Sequence, residues 1–309
     1  MSLRFAFHAR EQTSDYSNSM SDHKGILTHC KLPNAGFDAL WDRIIVPAEL
    51  KERLIAQILL EFTVRREMDR GALPLHGLIL LAGPPGTGKT TLAKAAASKA
   101  GSFLQGRNAQ FIEVEPHGLT SSSLGKSQRE MHQFFNGTVA EYARHGPLIV
   151  LLDEIETMAV DRRKLSLEAN PIDVHRATDA VLASLDHLAA AHPDLVFIAT
   201  SNFEAAVDDA LLSRADLILR MEKPNQDACA AILADTLAVM GTKWKKLAKF
   251  HDHAHFKDAA KAAHGLDGRQ IRKAVLQACA ASKDIAMDPN LLTVDELIRT
   301  LKTIKKDHR

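Results

Sequence analysis

The stretch Gly83-Pro84-Pro85-Gly86-Thr87-Gly88-Lys89-Thr90 lies between Leu78-Ile79-Leu80-Leu81-Ala82, a continuous apolar run, and Thr91-Leu92-Ala93-Lys94-Ala95-Ala96-Ala97, a run of strong helix formers. The first flank reads as a buried strand and the second as a helix. Strand, glycine-rich turn and helix in that order make a phosphate-binding loop. The glycines let consecutive backbone N–H groups point inward, and the dipole of the following helix adds positive potential at the same place. Gly83 through Thr91 are the candidate phosphate contacts, with Lys89 reaching the β- and γ-phosphates and the Thr90 hydroxyl ligating Mg²⁺. The segment implies a nucleoside triphosphatase.

Outward from this loop, further apolar runs punctuate helical segments: Phe111-Ile112-Glu113-Val114, Leu148-Ile149-Val150-Leu151-Leu152, Leu195-Val196-Phe197-Ile198-Ala199-Thr200 and Leu217-Ile218-Leu219. Phe111-Ile112-Glu113-Val114 reads as a short alternating strand, whereas continuous apolarity in the longer runs marks strands covered on both faces, so the expectation is an α/β fold with a parallel sheet. Its ligand site should lie at the carboxyl ends of the strands. Before the loop, Leu50, Leu54, Ile58, Leu59 and Phe62 recur at helical steps from about Ala48 to Met68, with Pro47 placed to open the helix. Ile44-Ile45-Val46 just ahead of it is either plain core or, at Ile45 and Val46, a pair of adenine contacts.

The strand ending at Leu152 carries Asp153 and Glu154. An acid pair there divides the labour of hydrolysis: Asp153 serves the Mg²⁺ shell, and Glu154 polarises the attacking water. Asn202, at the tip of the next strand, can hydrogen-bond the γ-phosphate or the water, because an amide both donates and accepts. Arginines serve the charge that develops on transferring phosphoryl oxygens. Arg214 and Arg269 are the candidates, and periodicity does not choose between that role and a place in the surface charge.

The 309 residues suffice for one large domain and a smaller one. Residues 1–36 mix polar and single apolar residues without period and read as a tail; 37–223 read as the α/β domain. From 224 to 309 the pattern turns helical, with runs at about 225–240, 255–264, 268–283 and 291–304, and reads as a lid. The chain has 39 basic and 38 acidic residues, a balance with no bias toward nucleic acid or membrane. Cys30, Cys229 and Cys279 are far apart, which excludes a C-x-x-C motif and suggests reduced thiols in the cytoplasm. His251, His253 and His255 lack acid or cysteine partners at ligand spacing. No signal sequence or membrane-spanning run is present.

Taken together, Gly83–Thr90, Leu151-Leu152-Asp153-Glu154, Ala199-Thr200-Ser201-Asn202, Arg214-Ala215-Asp216 and Gly268-Arg269 resemble the motifs of the AAA+ ATPases over about residues 37–304. Within that superfamily, Asp153-Glu154-Ile155-Glu156-Thr157, the segment Asn170 to Leu182, and Thr200-Ser201-Asn202-Phe203 are most similar to the thyroid-hormone-receptor-interactor-13 type, which remodels HORMA-domain proteins. The resemblance implies ATP and Mg²⁺ as cofactors and a homo-hexameric ring. It implies that Arg214 is a finger reaching the neighbouring subunit's nucleotide, and that Arg269 on the lid senses the γ-phosphate of its own subunit. By position, Ser123, Leu124 and Gly125 match a client-gripping pore loop, with Ser123 where eukaryotic members place an aromatic and Leu124 as the apolar paddle. The short N-terminus resembles bacterial members associated with cyclic-oligonucleotide antiphage signalling (CBASS), where the client HORMA protein activates a nucleotidyltransferase. An alternative is a nucleic-acid-associated AAA+ ATPase of helicase or clamp-loader type. It would need a basic stripe that the balanced charge does not suggest.

Overall fold

The computed structural model describes residues 25–68, 71–73, 75–115, 126–159 and 171–307. Six strands form one sheet: β1 (Ile26–Lys31), β2 (Leu78–Ala82), β3 (Gln110–Val114), β4 (Leu148–Leu152), β5 (Leu195–Ser201) and β6 (Leu217–Arg220), in the order β1-β3-β4-β5-β2-β6. All neighbours pair in parallel except β1, which runs antiparallel to β3. The five strands expected from the apolar runs are all present. Every residue of β2, β4 and β5 is buried, because helices cover both faces. One apolar core lies on each face of the sheet, and the two interleave along the strands: Leu78 and Leu80 face one, Ile79 and Leu81 the other.

On one face lie α1 (Ala35–Arg43), α2 (Ala48–Glu67) and α3 (Lys89–Phe103). Helix α3 begins directly at the phosphate loop, and its alanines allow close approach to the sheet. On the other lie α4 (Lys126–Gln133), a π-turn at Phe134–Val139, α5 (Ala140–Ala143), and α6 (Pro171–Ala191). The π-turn interrupts the helical stretch that follows β3 and places the adjacent Phe134 and Phe135 side chains in the core, edge to face at 5.4 Å.

The reading of residues 1–36 as a tail fails where the structure describes it. Ile26–Lys31 is the edge strand of the sheet, and Ala35 already opens a helix capped by the Asn34 side chain. The strand is held by long-range pairing that its own periodicity does not announce: Thr28 Oγ1 donates to Glu113 Oε2 at 2.7 Å, and Lys94 Nζ approaches Glu113 Oε1 at 2.7 Å. Glu113 is buried by this cover, so the alternation expected for its strand is absent.

After the short α7 (Asp209–Leu212) and β6, the chain becomes helical: α8 (Gln226–Gly241), α9 (Phe256–Ala263), α10 (Gly268–Cys279), α11 (Lys283–Met287) and α12 (Val294–Asp307). The expected helix over 268–283 divides, because Ser282 caps a new start at Lys283. These helices share a third core around Leu233, Leu247, Ile271 and Leu297, with Trp244 partly tucked against it. All three cysteines are unpaired, and burial pushes the Cys30 and Cys229 thiols up to about 11, leaving them inert. Among the described residues no helix is long and apolar enough to cross a membrane.

Glu61 is a charged residue inside this apolar frame. It is fully buried on α2, its Oε1 accepts from Gln57 Nε2 at 2.6 Å, and its Oε2 has no hydrogen-bond partner among the described residues. Burial, reinforced by the Asp216 carboxylate, raises its pKa from 4.5 to about 7. Between those values the folded chain binds more protons than the unfolded chain, so this contribution to stability is complete below about pH 4.5 and lost as pH rises through 7. Glu61→Gln, isosteric and neutral, should remove that slope. In urea titrations its stability relative to wild type should rise from pH 5 to pH 8 by on the order of 3 kcal/mol, and a pH-independent difference would refute the assignment.

Candidate functional site

The carboxyl ends of β2, β4 and β5 open into a cleft of about 1050 Å³ beneath the C-terminal helices, large enough for a nucleotide. The phosphate loop forms its floor. Gly83 has φ +149° and takes the chain so close to β6 that a Cβ there would lie 2.1 Å from the Met221 carbonyl oxygen. Gly86, at φ +78°, faces Asp267, the N-cap of α10, and a Cβ would come within 2.2 Å of its carboxylate oxygen. The loop and the first residue of the lid helix therefore meet without a side chain between them.

Lys89 is 5% exposed and its ammonium donates three hydrogen bonds, to the Gly83 carbonyl at 2.7 Å, the Pro84 carbonyl at 2.9 Å and Asn202 Oδ1 at 2.9 Å. Burial lowers its pKa, opposed by the nearby carboxylates of Glu156, Asp153 and Glu154. Asn202 completes a bridge: its Nδ2 donates to Glu154 Oε1 at 3.0 Å, so one amide joins the phosphate-loop lysine to the candidate base. Asp153 Oδ1 receives two hydroxyls, Thr90 Oγ1 at 2.7 Å and Thr200 Oγ1 at 2.6 Å. The same Thr200 oxygen accepts the Glu154 N–H at 3.0 Å, and Glu154 adopts φ +51°, a strained conformation for a non-glycine residue that turns its carboxylate off the strand.

Thr200 and Glu156 carry positioning roles that sequence reasoning did not assign. Glu156 sits on the 3₁₀ turn Ile155–Thr157 and accepts the Asn202 backbone N–H at 3.0 Å, fixing where that amide points. Both lie inside motifs quoted above, but a hydroxyl within an apolar strand and a second acid past a strand end signal nothing until strands 4 and 5 are placed side by side.

Gly86 through Thr91, Asp153, Glu154, Asn202 and Arg269 line the cleft, as does Pro85. Gly83 and Pro84 contribute carbonyls to Lys89 behind it. Arg269 opens α10 after the Asp267–Gln270 capping box, and among the described residues its guanidinium has no hydrogen-bond partner. Ile45 and Val46 line the opposite, apolar end, together with Ile44, Leu50 and Leu276. Arg272 straps that end: its guanidinium donates to Asp235 at 2.6 Å on α8 and to the Arg43 carbonyl at 3.0 Å at the end of α1. Arg214 is not in the cleft; it is bound to Asp186 on α6. Ser123, Leu124 and Gly125 lie outside the described residues.

A phosphate loop opening a helix, an acid pair on an adjacent strand tip and a helical cover over the cleft define an AAA-type nucleoside triphosphatase. The family model for the ATPase family associated with various cellular activities matches residues 79–223. The chain is 47% identical over 294 residues to CD-NTase-associated protein 6 of Pseudomonas aeruginosa, covering 95% of this chain and 97% of the relative. It is 31% identical to a Pachytene checkpoint protein 2 homolog of Arabidopsis thaliana, covering 89% of this chain but 66% of the plant protein, so it spans just under two thirds of that relative. By fold it matches a chain in the structure of the E. coli MS115-1 HORMA:CdnC:Trip13 complex with a TM-score of 0.73, 16% identity, and coverage of 91% of this chain and 95% of that one. The chain belongs to the AAA ATPases, in the family of CD-NTase-associated protein 6 and the Pachytene checkpoint protein 2 homologs.

Lys89→Ala should abolish nucleotide binding. Glu154→Gln should leave binding intact and reduce turnover by about two to four orders of magnitude, the worth of a positioned general base. Fluorescent-nucleotide titration and phosphate release separate the two, and near-wild-type turnover in Glu154→Gln would remove Glu154 from the chemistry.

Proposed function

We propose that the chain is a cytoplasmic ATP-driven remodeller of a HORMA-domain protein, acting as a homo-hexamer and, through that client, on a nucleotidyltransferase in antiphage defence. The observation that carries its chemistry is the Lys89–Asn202–Glu154 bridge, which links nucleotide binding to the base. The client is supported by the near-full-length relative named for association with a CD-NTase, and by a structural match drawn from a complex with HORMA and CdnC. These favour a protein client over nucleic acid.

In this reading the ATP phosphates lie along Gly83–Thr91, and the triphosphate replaces the loop carbonyls as the partner of Lys89. The adenine lies at the apolar end, against Ile45 and Val46. Thr90 and Asp153 suit Mg²⁺, a hard cation that takes few protein ligands beside substrate phosphates and water. They offer one hydroxyl and one carboxylate already in contact. When bound, Mg²⁺ would neutralise charge on the phosphates. Glu154 accepts the proton of the attacking water, Asn202 orients that water, and Arg269 follows the γ-phosphate from the lid. Arg214 lies outside its own chain's cleft, which supports its action on a neighbour's nucleotide. The proposed division is a large domain over residues 37–223, to which β1 adds a strand, and a lid over 224–309. Leu124, with Ser123 and Gly125, is the proposed contact with client chain in the ring's pore.

The test uses a HORMA protein closed around a bound peptide. Wild type with ATP should release the peptide; Glu154→Gln should bind the client and hold it; Leu124→Ala should lose release. An unchanged peptide-bound fraction with wild type and ATP would leave the ATPase standing and remove the client. Stimulation of turnover by DNA but not by the HORMA protein would favour the nucleic-acid reading.

A further inference from the structure

The Arg214 guanidinium is held in an arrangement that its role as a finger does not by itself require. Its Nε donates to Asp186 at 3.0 Å and 3.2 Å to the two carboxylate oxygens, its Nη2 donates to Asp186 Oδ2 at 2.8 Å, and its Nη1 donates to the Ala210 carbonyl at 2.6 Å. Asp186 lies on α6 and Arg214 just beyond α7, so the grip joins two elements. His76, leading into β2, flanks the carboxylate: its Nε2 is 3.6 Å from Asp186 Oδ1, and its backbone N–H is fixed on the Asp216 carboxylate. A guanidinium has five N–H donors in two forks. Asp186 occupies the Nε–Nη2 fork, and one proton on each of Nη1 and Nη2 has no partner among the described residues. The two side chains are 25% and 35% exposed, so the pair sits at the surface and not in the core.

We propose that Asp186 is a positioning residue for Arg214: its bidentate grip fixes the arginine rotamer and presents the terminal fork to the nucleotide of the neighbouring subunit. The inference rests on Arg214 acting in trans. A bidentate, charge-assisted pair supplies direction as well as attraction. An arginine ordered before assembly has no rotamer freedom left to lose when it meets a phosphate. One N–H on each of Nη1 and Nη2 is left over for phosphoryl oxygens.

The experiment measures turnover of the full chain at saturating and limiting ATP. Asp186→Asn, isosteric and half-exposed, should retain assembly, melting temperature and KM for ATP while kcat falls by about tenfold to a hundredfold, the scale of a misplaced catalytic group. Should Asp186→Asn melt early, Asp186→Ser is measured instead. Added to Arg214→Ala, the substitution should cost nothing further. Chains carrying Asp186→Asn mixed with chains carrying Glu154→Gln should regain activity, because some interfaces then pair an intact base with a held finger. Wild-type or raised kcat in Asp186→Asn, or an equal loss in the Arg214→Ala background, overturns the proposal. Recovery when Arg214→Ala is mixed with Glu154→Gln, without recovery for the Asp186→Asn mixture, removes only the role of Asp186. Failure of the Arg214→Ala mixture at every ratio removes the trans reading on which it rests.

Discussion

Asp153 Oδ1 accepts hydroxyl hydrogen bonds from Thr90 and Thr200, and with them it ties together the first turn of α3, the tip of β4 and the end of β5. Three elements far apart in sequence meet at one oxygen because β2, β4 and β5 are fully buried and in parallel register, so their carboxyl ends fall at one level. The rest of the site follows from that convergence. Thr200 turns from Asp153 to the Glu154 N–H, which sets the candidate base off the strand, and Asn202 then lies two residues beyond Thr200, in reach of both Glu154 and Lys89. A hydroxyl in the interior of an apolar strand would be costly without partners. Here its bonds organise the chemistry.

The candidate site residues that the structure brings together in the cleft were legible in the sequence because each sits at a break between patterns. Lys89 and Thr90 end a turn, Asp153 and Glu154 end an apolar run, and Asn202 ends another. Residues whose roles come from neighbours distant in sequence were not legible in this way. Strand β1 has mixed burial and belongs to the sheet only through β3, and Glu113 owes its burial to that same pairing. Glu156 and Thr200 matter through hydrogen bonds across strands, which no local period encodes. Arg214 lay in a motif whose resemblance suggested its role, but its partner Asp186 is 28 residues away on another helix.

The lid is connected to the body at both ends of the cleft. At the apolar end Arg272 spans from α8 to the last carbonyl of α1. At the phosphate end Asp267 caps α10 while lying against the loop. Arg269 follows two residues after that cap, so its reach into the cleft is set by the same turn that meets Gly86. The loop and the start of the lid helix thus share one contact, through which a shift of either would press on the other.

The contact between Gly86 and Asp267 also constrains how the two positions vary among descendants of this sequence. Neither site has spare volume: a methyl at 86 would collide with the cap, and a bulkier cap would press on a backbone already at positive φ. Any side chain at 86 must both hold φ +78° and push the Asp267 carboxylate away from the Gln270 N–H that it caps. A change in the phosphate loop would therefore be felt at a helix cap 181 residues away in the chain, by subtraction of 86 from 267.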